Sequence, residues 1–370
     1  MRKGTRTITL FLLATALGLP SVWAGNLPTS EYKVLPPITS GNLAIFPVVA
    51  SRTHDTSGFI TLDEGLRNGS VVITEAGNVT PLRRRRGQRI PQDAEVNRLV
   101  LINNSKRPLL LLAGEVVTGG KQDRVIAMDR IVAPDSDPVD LSVFCVEPGR
   151  WVAQSEKFGS MGVQMAQPSV RRPAMAQKDQ QAVWDGVRSS NAEMTVEVTA
   201  AAPIVARELA GTSSYARVME NPEVQKRVET IAAPIYQDYS KMLRQLRQQN
   251  AVGVVIAVNG RVVWADIFAS GALLENYWQK LIRSYAAEAV TTRTAYGTAS
   301  QHEAQAFIED LAGTREVVET EPGVFRLAEV IGDGFKVFKL TSLLGKAEFP
   351  VHVAKMTTDE GQSKRNVPMR

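Results

Sequence analysis

One cysteine, Cys145, and three histidines are all that 370 residues contain of either type. A single thiol excludes a disulfide within the chain, so packing must hold the fold. Free cysteine is among the most buried residue types, and a buried small apolar group is the expected state of Cys145. A reactive nucleophile, which would need nearby cations to depress its pKa, is the alternative. His54, His302 and His352 show no metal-ligand spacing. Asp135, Asp137 and Asp140 lack the Gly and the distal Glu of a calcium loop, so no metal is expected. A nucleophile elbow is missing, because Gly159-Ser160-Met161-Gly162 has the wrong spacing. Gly120-Lys121 superficially suggests a phosphate loop, but Glu115 and Gln122 stand where Gly and Ser or Thr are required. There is no internal repeat. After residue 19 no apolar run is long enough to cross a membrane, which takes about 20 residues.

What is present at the start is an export signal. Arg2, Lys3 and Arg6 precede an apolar run from Ile8 to Leu19, Pro20 ends it, and Val22-Trp23-Ala24 offers a cleavage site. Residues 1–24 are therefore expected to be a signal peptide, and the mature protein to be periplasmic or secreted with no integral membrane segment. No cysteine follows the run, which argues against a lipid anchor. Removal of three basic residues takes 43 basic residues to 40 against 38 acidic, so the formal charge of +5 falls to +2. Net charge gives no reason to expect a nucleic-acid partner. Arg83 to Arg86 with Arg89 form a charge run without interleaved aromatics to stack bases. A solvated loop is the expectation there, with contact to anionic envelope polymers as the alternative.

The rest, 44% hydrophobic and 22% charged, is ordinary globular composition. Strands mixed with separate helices predict an α+β fold in one large domain over 41–356, β-rich in its N-terminal half and mixed in its C-terminal half. Residues 25–40 are Pro-rich and predicted as an extended lead-in, and 357–370 as a flexible tail. Strands are expected at Asn42–Ala50, Val71–Thr74, Val96–Ile102, Pro108–Val117, Arg124–Ala133 and Val139–Glu147, with a short helical or turn segment at Thr61–Asn68. The third and fourth of these strands read as a hairpin across Asn103-Asn104-Ser105-Lys106. Ser160–Gln181, rich in Met, Gln and Pro, reads as a long loop. Asn221-Pro222 opens a helix that Pro234 should kink or break. Val252–Val258 and Arg261–Phe268 flank Asn259-Gly260, the residues of a type I′ turn. Leu274, Trp278, Leu281, Ile282 and Tyr285 then mark one face of a helix. A further helix near Ser300–Ala312 and strands at Phe325–Val330, Phe335–Leu340 and Pro350–Ala354 complete the reading.

Two segments concentrate polar groups on apolar strands. Ala113 to Arg124 runs from a buried strand through Glu115 and a Gly-Gly bend to Gln122, Asp123 and Arg124. Phe144 to Trp151 carries Cys145 and Glu147, a Pro-Gly turn, then Arg150 and Trp151. Alternation puts Cys145 and Glu147 on one face. A carboxylate at the end of a buried strand is costly unless paired. One reading is an ion-pair network that locks two hairpins. The other is a pocket in which Glu115, Asp123 and Glu147 act as acid and base, Gln122, Arg124 and Arg150 hold an anionic ligand, Trp151 packs on a ring, and Cys145 is a possible nucleophile.

The same two segments, Leu109–Arg124 and Val143–Trp151, resemble the hallmark motifs of a prokaryotic domain family. That family is named for its association with ADP-ribosylglycohydrolases and with rhodanese and phosphatase superfamily proteins. Gln181 to Trp184 with Val187, Gly253–Phe268, and Tyr277–Tyr285 fit the same pattern, so the resemblance spans roughly Ile45 to Ala287. It implies a link to NAD or ADP-ribose metabolism by association alone, and it supplies no catalytic residue and names no cofactor. Two functions follow as expectations. The first is an exported binding or interaction module for an envelope or small-molecule ligand. The second is a hydrolase or transferase acting on a ribosyl, nucleotide or sugar-like ligand through the carboxylate and Arg pocket.

Overall fold

The computed structural model describes residues 31–76, 98–150, 152, 154–245, 250–295 and 297–358. Residues 1–24 (expected to be a signal segment), the Arg83–Arg89 run, Trp151 and the end of the tail lie outside them.

A nine-stranded antiparallel sheet forms the largest layer. Its spatial order is β1 (Tyr32–Val34), β3 (Leu43–Ala50), β13 (Asn250–Val258), β14 (Arg261–Phe268), β18 (Phe349–Thr357), β17 (Phe335–Ser342), β16 (Phe325–Gly332) and β15 (Thr314–Glu321), with β2 (Ile38–Ser40) also on β3. The Asn259-Gly260 turn joins β13 to β14 with both residues at positive φ, 51° and 73°, as its type requires. The central strands are apolar on both faces because each face has its own core. Val254, Ile256 and Val258 enter the main cluster. Val255 and Ala257 enter a second one, closed by Ala304 and Phe307 of α8 (Gln301–Glu309).

A six-stranded sheet runs in the order β12 (Gly159–Met165), β8 (Glu115–Thr118), β9 (Arg124–Ile126), β11 (Val139–Cys145), β6 (Arg98–Asn103) and β5 (Val71–Glu75). A small sheet of β10 (Arg130–Val132), β7 (Leu109–Leu111) and β4 (Ile60–Thr61) faces it. Leu99, Leu101, Leu109, Leu111, Val117 and Ile126 share the apolar cluster they enclose. The fold is α+β, with the strand-rich N-terminal half the composition predicts.

The helices are α1 (Leu62–Arg67), α2 (Pro168–Arg172), α3 (Gln180–Thr199), α4 (Pro203–Ala210), α5 (Tyr215–Met219), α6 (Pro222–Gln245), α7 (Gly271–Thr291) and α8. The centre of the main core is α7. Its Leu273, Leu274, Tyr277, Leu281, Ile282 and Tyr285 are buried, and it packs on β12, β13 and α6.

Three expectations are corrected. Ser160–Gln181 is not a loop: it holds most of β12, then α2, a π-helical turn at Pro173–Gln177 and the start of α3. The turn closes with Lys178 at φ 55°, and Met165, Ala166, Val170, Ala174 and Met175 sink into the core. Within the expected lead-in, Tyr32–Val34 and Ile38–Ser40 are extended and pair with β3. Pro108–Val117 is not one strand, nor the hairpin partner of β6. Gly114, at φ 94°, breaks the pleat, so β7 joins the small sheet while β8 starts afresh in the six-stranded one. An added Cβ on Gly114 would lie 2.5 Å from Arg171, so no other residue fits that break. Finally, Pro234 does not break α6, which runs through it as one element.

Candidate functional site

The structure brings most of the predicted polar residues together and then seals them. Asp123 sits at the turn end of the β8–β9 hairpin, next to the Gly119-Gly120 bend. Its Oδ1 accepts from the Gly119 amide at 3.0 Å and from Arg150 Nη2 at 3.1 Å. The Ser214 hydroxyl donates to its Oδ2 at 3.3 Å. Glu147, just past β11, accepts Arg150 Nε at 2.5 Å. The same guanidinium donates to the Gly120 and Val152 carbonyls, each at 3.0 Å. Arg150 thus staples a tight glycine bend to the strand opposite. Both carboxylates keep only 7% side-chain exposure. Burial, with the nearby Glu147 charge, raises the Asp123 carboxyl above the ordinary range despite the Gly119 amide and Arg150. Gln122 is fully buried, and its Oε1 has no partner among the described residues. Arg124 is 1% exposed, and burial lowers its pKa against the pull of Cys145, Glu75 and Asp123. These residues form the ion-pair lock, with Arg150 as its centre.

Cys145 is fully buried in the same region. Its backbone is gripped by the Gln180 side-chain amide, which accepts from the Cys145 amide and donates to the Cys145 carbonyl, each at 2.9 Å. Burial pushes the thiol pKa up, outweighing the bond from the Glu147 amide. A nucleophile needs the opposite shift and access to solvent, so the surroundings of Cys145 are those of a packing residue. The native protein is expected to resist iodoacetamide near neutral pH and to take up one label per chain on unfolding. Mass spectrometry of labelled native protein checks this, and rapid native labelling would contradict the burial.

Glu115 does not join that group. The register puts Val116 opposite Val125 and Val117 opposite Arg124, so Glu115 lies at the open end of the hairpin and Asp123 at its turn. There Glu115 meets Lys280 of α7. The ammonium lies 2.6 Å from Glu115 Oε1 and 2.8 Å from Asp63 Oδ2 of α1. The Leu112 amide donates to Glu115 Oε2 at 2.9 Å, and the Ser160 hydroxyl to Asp63 Oδ1 at 2.5 Å. Burial raises the Glu115 carboxyl, Lys280 only partly offsetting it. Burial opposes charge on Lys280, but Glu115 and Asp63 outweigh it and raise its pKa.

This cluster opens on a cleft of about 970 Å³ where α1, α6, the start of β13 and the first turns of α7 meet. Asp63, at 21% side-chain exposure, is far more open than Lys280 at 5% or Glu115 at 1%. Tyr236, Tyr239 and Trp278 also line the cleft. Tyr239 and Trp278 stack at 4.2 Å between ring centroids. The Tyr239 hydroxyl and the Trp278 Nε1 are buried and have no hydrogen-bond partner among the described residues. The opening has polar walls and an aromatic side.

Sequence reasoning missed Lys280 and Asp63. A signal existed for the first. Tyr277, Lys280, Leu281 and Ser284 follow helical spacing on the face that carries the apolar stripe, so a lysine there had to be buried and paired.

A third polar group lies wholly in the core. Arg171 grips Asp266 through Nη1 at 3.1 Å and Nη2 at 3.3 Å, and donates to the Ala113 carbonyl through Nε at 3.2 Å. His352 Nδ1 lies 2.6 Å from Asp129 Oδ2, while the Ala113 amide donates to Asp129 Oδ1 at 2.8 Å. All four ionisable side chains have essentially no exposure. Their formal charges cancel in two pairs, and Arg171 lies over the Trp264 ring at 4.5 Å. The group joins β14, β18, α2 and the strand break at Gly114, and it reaches no opening. Among the described residues, no group of three or more His, Cys, Asp or Glu side chains is arranged to hold a metal.

Fold and cleft together define an α+β protein built on a large antiparallel sheet, with a polar cleft where helices from both halves of the chain meet. The chain belongs to the ARG and Rhodanese-Phosphatase-superfamily-associated Protein domain family, ARPP-1, whose model matches residues 31–344. No curated protein and no solved structure matches it.

Proposed function

We propose that this chain is an exported envelope protein that binds a ligand in the cleft beside Lys280. Export rests on the basic, apolar and small-residue pattern of residues 1–24. None of the described helices is long and apolar enough to cross a membrane. The observation that carries the binding reading is a coincidence at one opening: a buried Lys–carboxylate cluster at its wall and, on lining residues, two buried donors with no partner among the described residues. Buried polar groups are almost always satisfied, and a ligand is one way to satisfy them. The observations favour binding over a hydrolase or transferase acting through the predicted acids. Asp123 and Glu147 are held by Arg150 in a dry lock, Glu115 is turned inward to Lys280 and Leu112, and Cys145 is closed off.

The test is a thermal-shift screen of the mature chain beside an Asn276→Trp variant. Asn276 is exposed on α7 and lines the cleft, so tryptophan there blocks the opening without entering the core. A ligand at a hundredfold excess over its Kd adds about 2.7 kcal/mol of stability. That gain is expected in the parent and lost in the variant. An equal gain in both would remove the cleft from the account.

A further inference from the structure

Resting on the cleft as the binding site, we infer that its ligand is an uncharged polyhydroxylated chain, an oligosaccharide, rather than a phosphorylated nucleotide or another anion.

Charge decides first. The ionisable side chains lining the cleft are Asp63, Glu64, Glu275, Arg67 and Lys280, one more acid than bases. Lys280, the buried cation, already lies within 3 Å of Asp63 and of Glu115 directly behind it. A phosphoryl group approaching that ammonium meets two carboxylates on the same nitrogen. Glu64 is engaged by Arg107 at 2.6 Å. Arg67 stands exposed at the rim, where water screens its charge. The N-terminus of α7 adds a partial positive charge, but its Ser270 cap already satisfies the Leu273 amide, and Glu275 follows within the next turn. An anion therefore finds no cation at the buried wall that is not already shared.

Hydrogen-bonding chemistry decides second. The uncharged polar lining is mainly amides and hydroxyls, including Thr53, Ser240, Asn250, Asn276 and Gln279. These groups both donate and accept, as sugar hydroxyls do. Asp63 and Glu275 are acceptors for hydroxyl hydrogens. The Trp278 Nε1–H is a donor only and the Tyr239 hydroxyl donates as well, and both lack partners among the described residues. A ligand whose hydroxyls donate to carboxylates and exchange hydrogen bonds with amides and hydroxyls is a polyol. Shape agrees. Tyr236 is 39% exposed, so it offers a ring face for the apolar side of a sugar, and the nearly buried Tyr239 and Trp278 also line the cleft. The cleft is near the upper end of small-molecule sites, ~300–1,000 Å³, with room for several sugar units.

The experiment is titration calorimetry of the full mature chain with chitotriose, cellotriose and maltotriose, and with ADP-ribose and AMP in parallel. At least one neutral trisaccharide is expected to bind, with an affinity unchanged between about 0.05 and 0.5 M salt because no charge on the ligand is screened. Tyr236→Ala is expected to weaken it roughly 10-fold, the loss of one aromatic contact, and Asp63→Asn to weaken it by a similar factor. Tyr236 is exposed enough for its variant to fold. If no neutral trisaccharide binds, or if ADP-ribose or AMP binds more tightly and is blocked by Asn276→Trp, the ligand class is wrong and the cleft stands. If trisaccharide binding persists in Asn276→Trp, the cleft itself is wrong.

Discussion

Replacing Asp266 by alanine is expected to leave the chain unfolded or to remove about 3–5 kcal/mol of stability, the usual effect of stranding a buried charge. Asp266 is fully buried between two cations. It accepts both Arg171 nitrogens, takes the Tyr285 hydroxyl, and lies 3.2 Å from His352 Nε2. Burial alone would raise its carboxyl, but Arg171 and His352 overcome that and hold it well below the ordinary range. Without it, Arg171 and His352 share a dry core with Asp129 as the remaining acid. A domain is typically stable by about 5–15 kcal/mol, so the loss is a large share of the whole. Urea denaturation followed by circular dichroism measures it. Tyr285→Phe, which removes one donor and no charge, should cost only about 1 kcal/mol. An Asp266→Ala midpoint matching that of Tyr285→Phe would show that the network does not hold the core.

Stability is also expected to fall on the alkaline side. Burial disfavours charge on His352, but Asp129, and after it Asp266, outweigh burial and raise its pKa from 6.5 to about 9. A base whose folded-state pKa lies above its unfolded value stabilises fully below the unfolded value. Here that means below about pH 6.5, with the contribution lost as pH rises through about 9. The gap corresponds to roughly 3 kcal/mol. Urea midpoints of the parent between about pH 6 and 10 should decline, and those of His352→Gln should be flatter over the same interval. A parent curve that stays level across it contradicts a charged His352.

The β13–β14 hairpin and α7 were legible because local chemistry and tertiary demand agree there: Asn259-Gly260 fits one turn type, and the α7 stripe faces one core. Other elements hid for identifiable reasons. In α3 the buried face includes Ser190 and Asn191 beside Val183, Val187 and Met194, which dilutes its apolar period. In β15 nearly every side chain is open to solvent, so there was no alternation to read. Ser160–Gln181 looked like a loop because its prolines suggest turns, yet Pro168 and Pro173 each open a helical segment, where the missing N–H costs little. At the site, the motifs located Asp123, Glu147 and Arg150 as a group, because they are close in sequence on either side of tight turns. They could not pair Glu115 with Lys280, 165 residues away, since that contact depends on how α7 crosses the six-stranded sheet.

The most direct test of the cleft is fluorine NMR of residues 25–370 labelled with 5-fluorotryptophan, a span that holds four of the five tryptophans. Trp278→Phe assigns the resonance of the cleft. Chitotriose, or any of the other four compounds that binds in its place, should move the Trp278 signal and leave that of Trp264, buried beside Arg171, where it was. A bound ligand that shifts Trp184 and not Trp278 would place the binding site near Cys145 and the Arg150 lock instead.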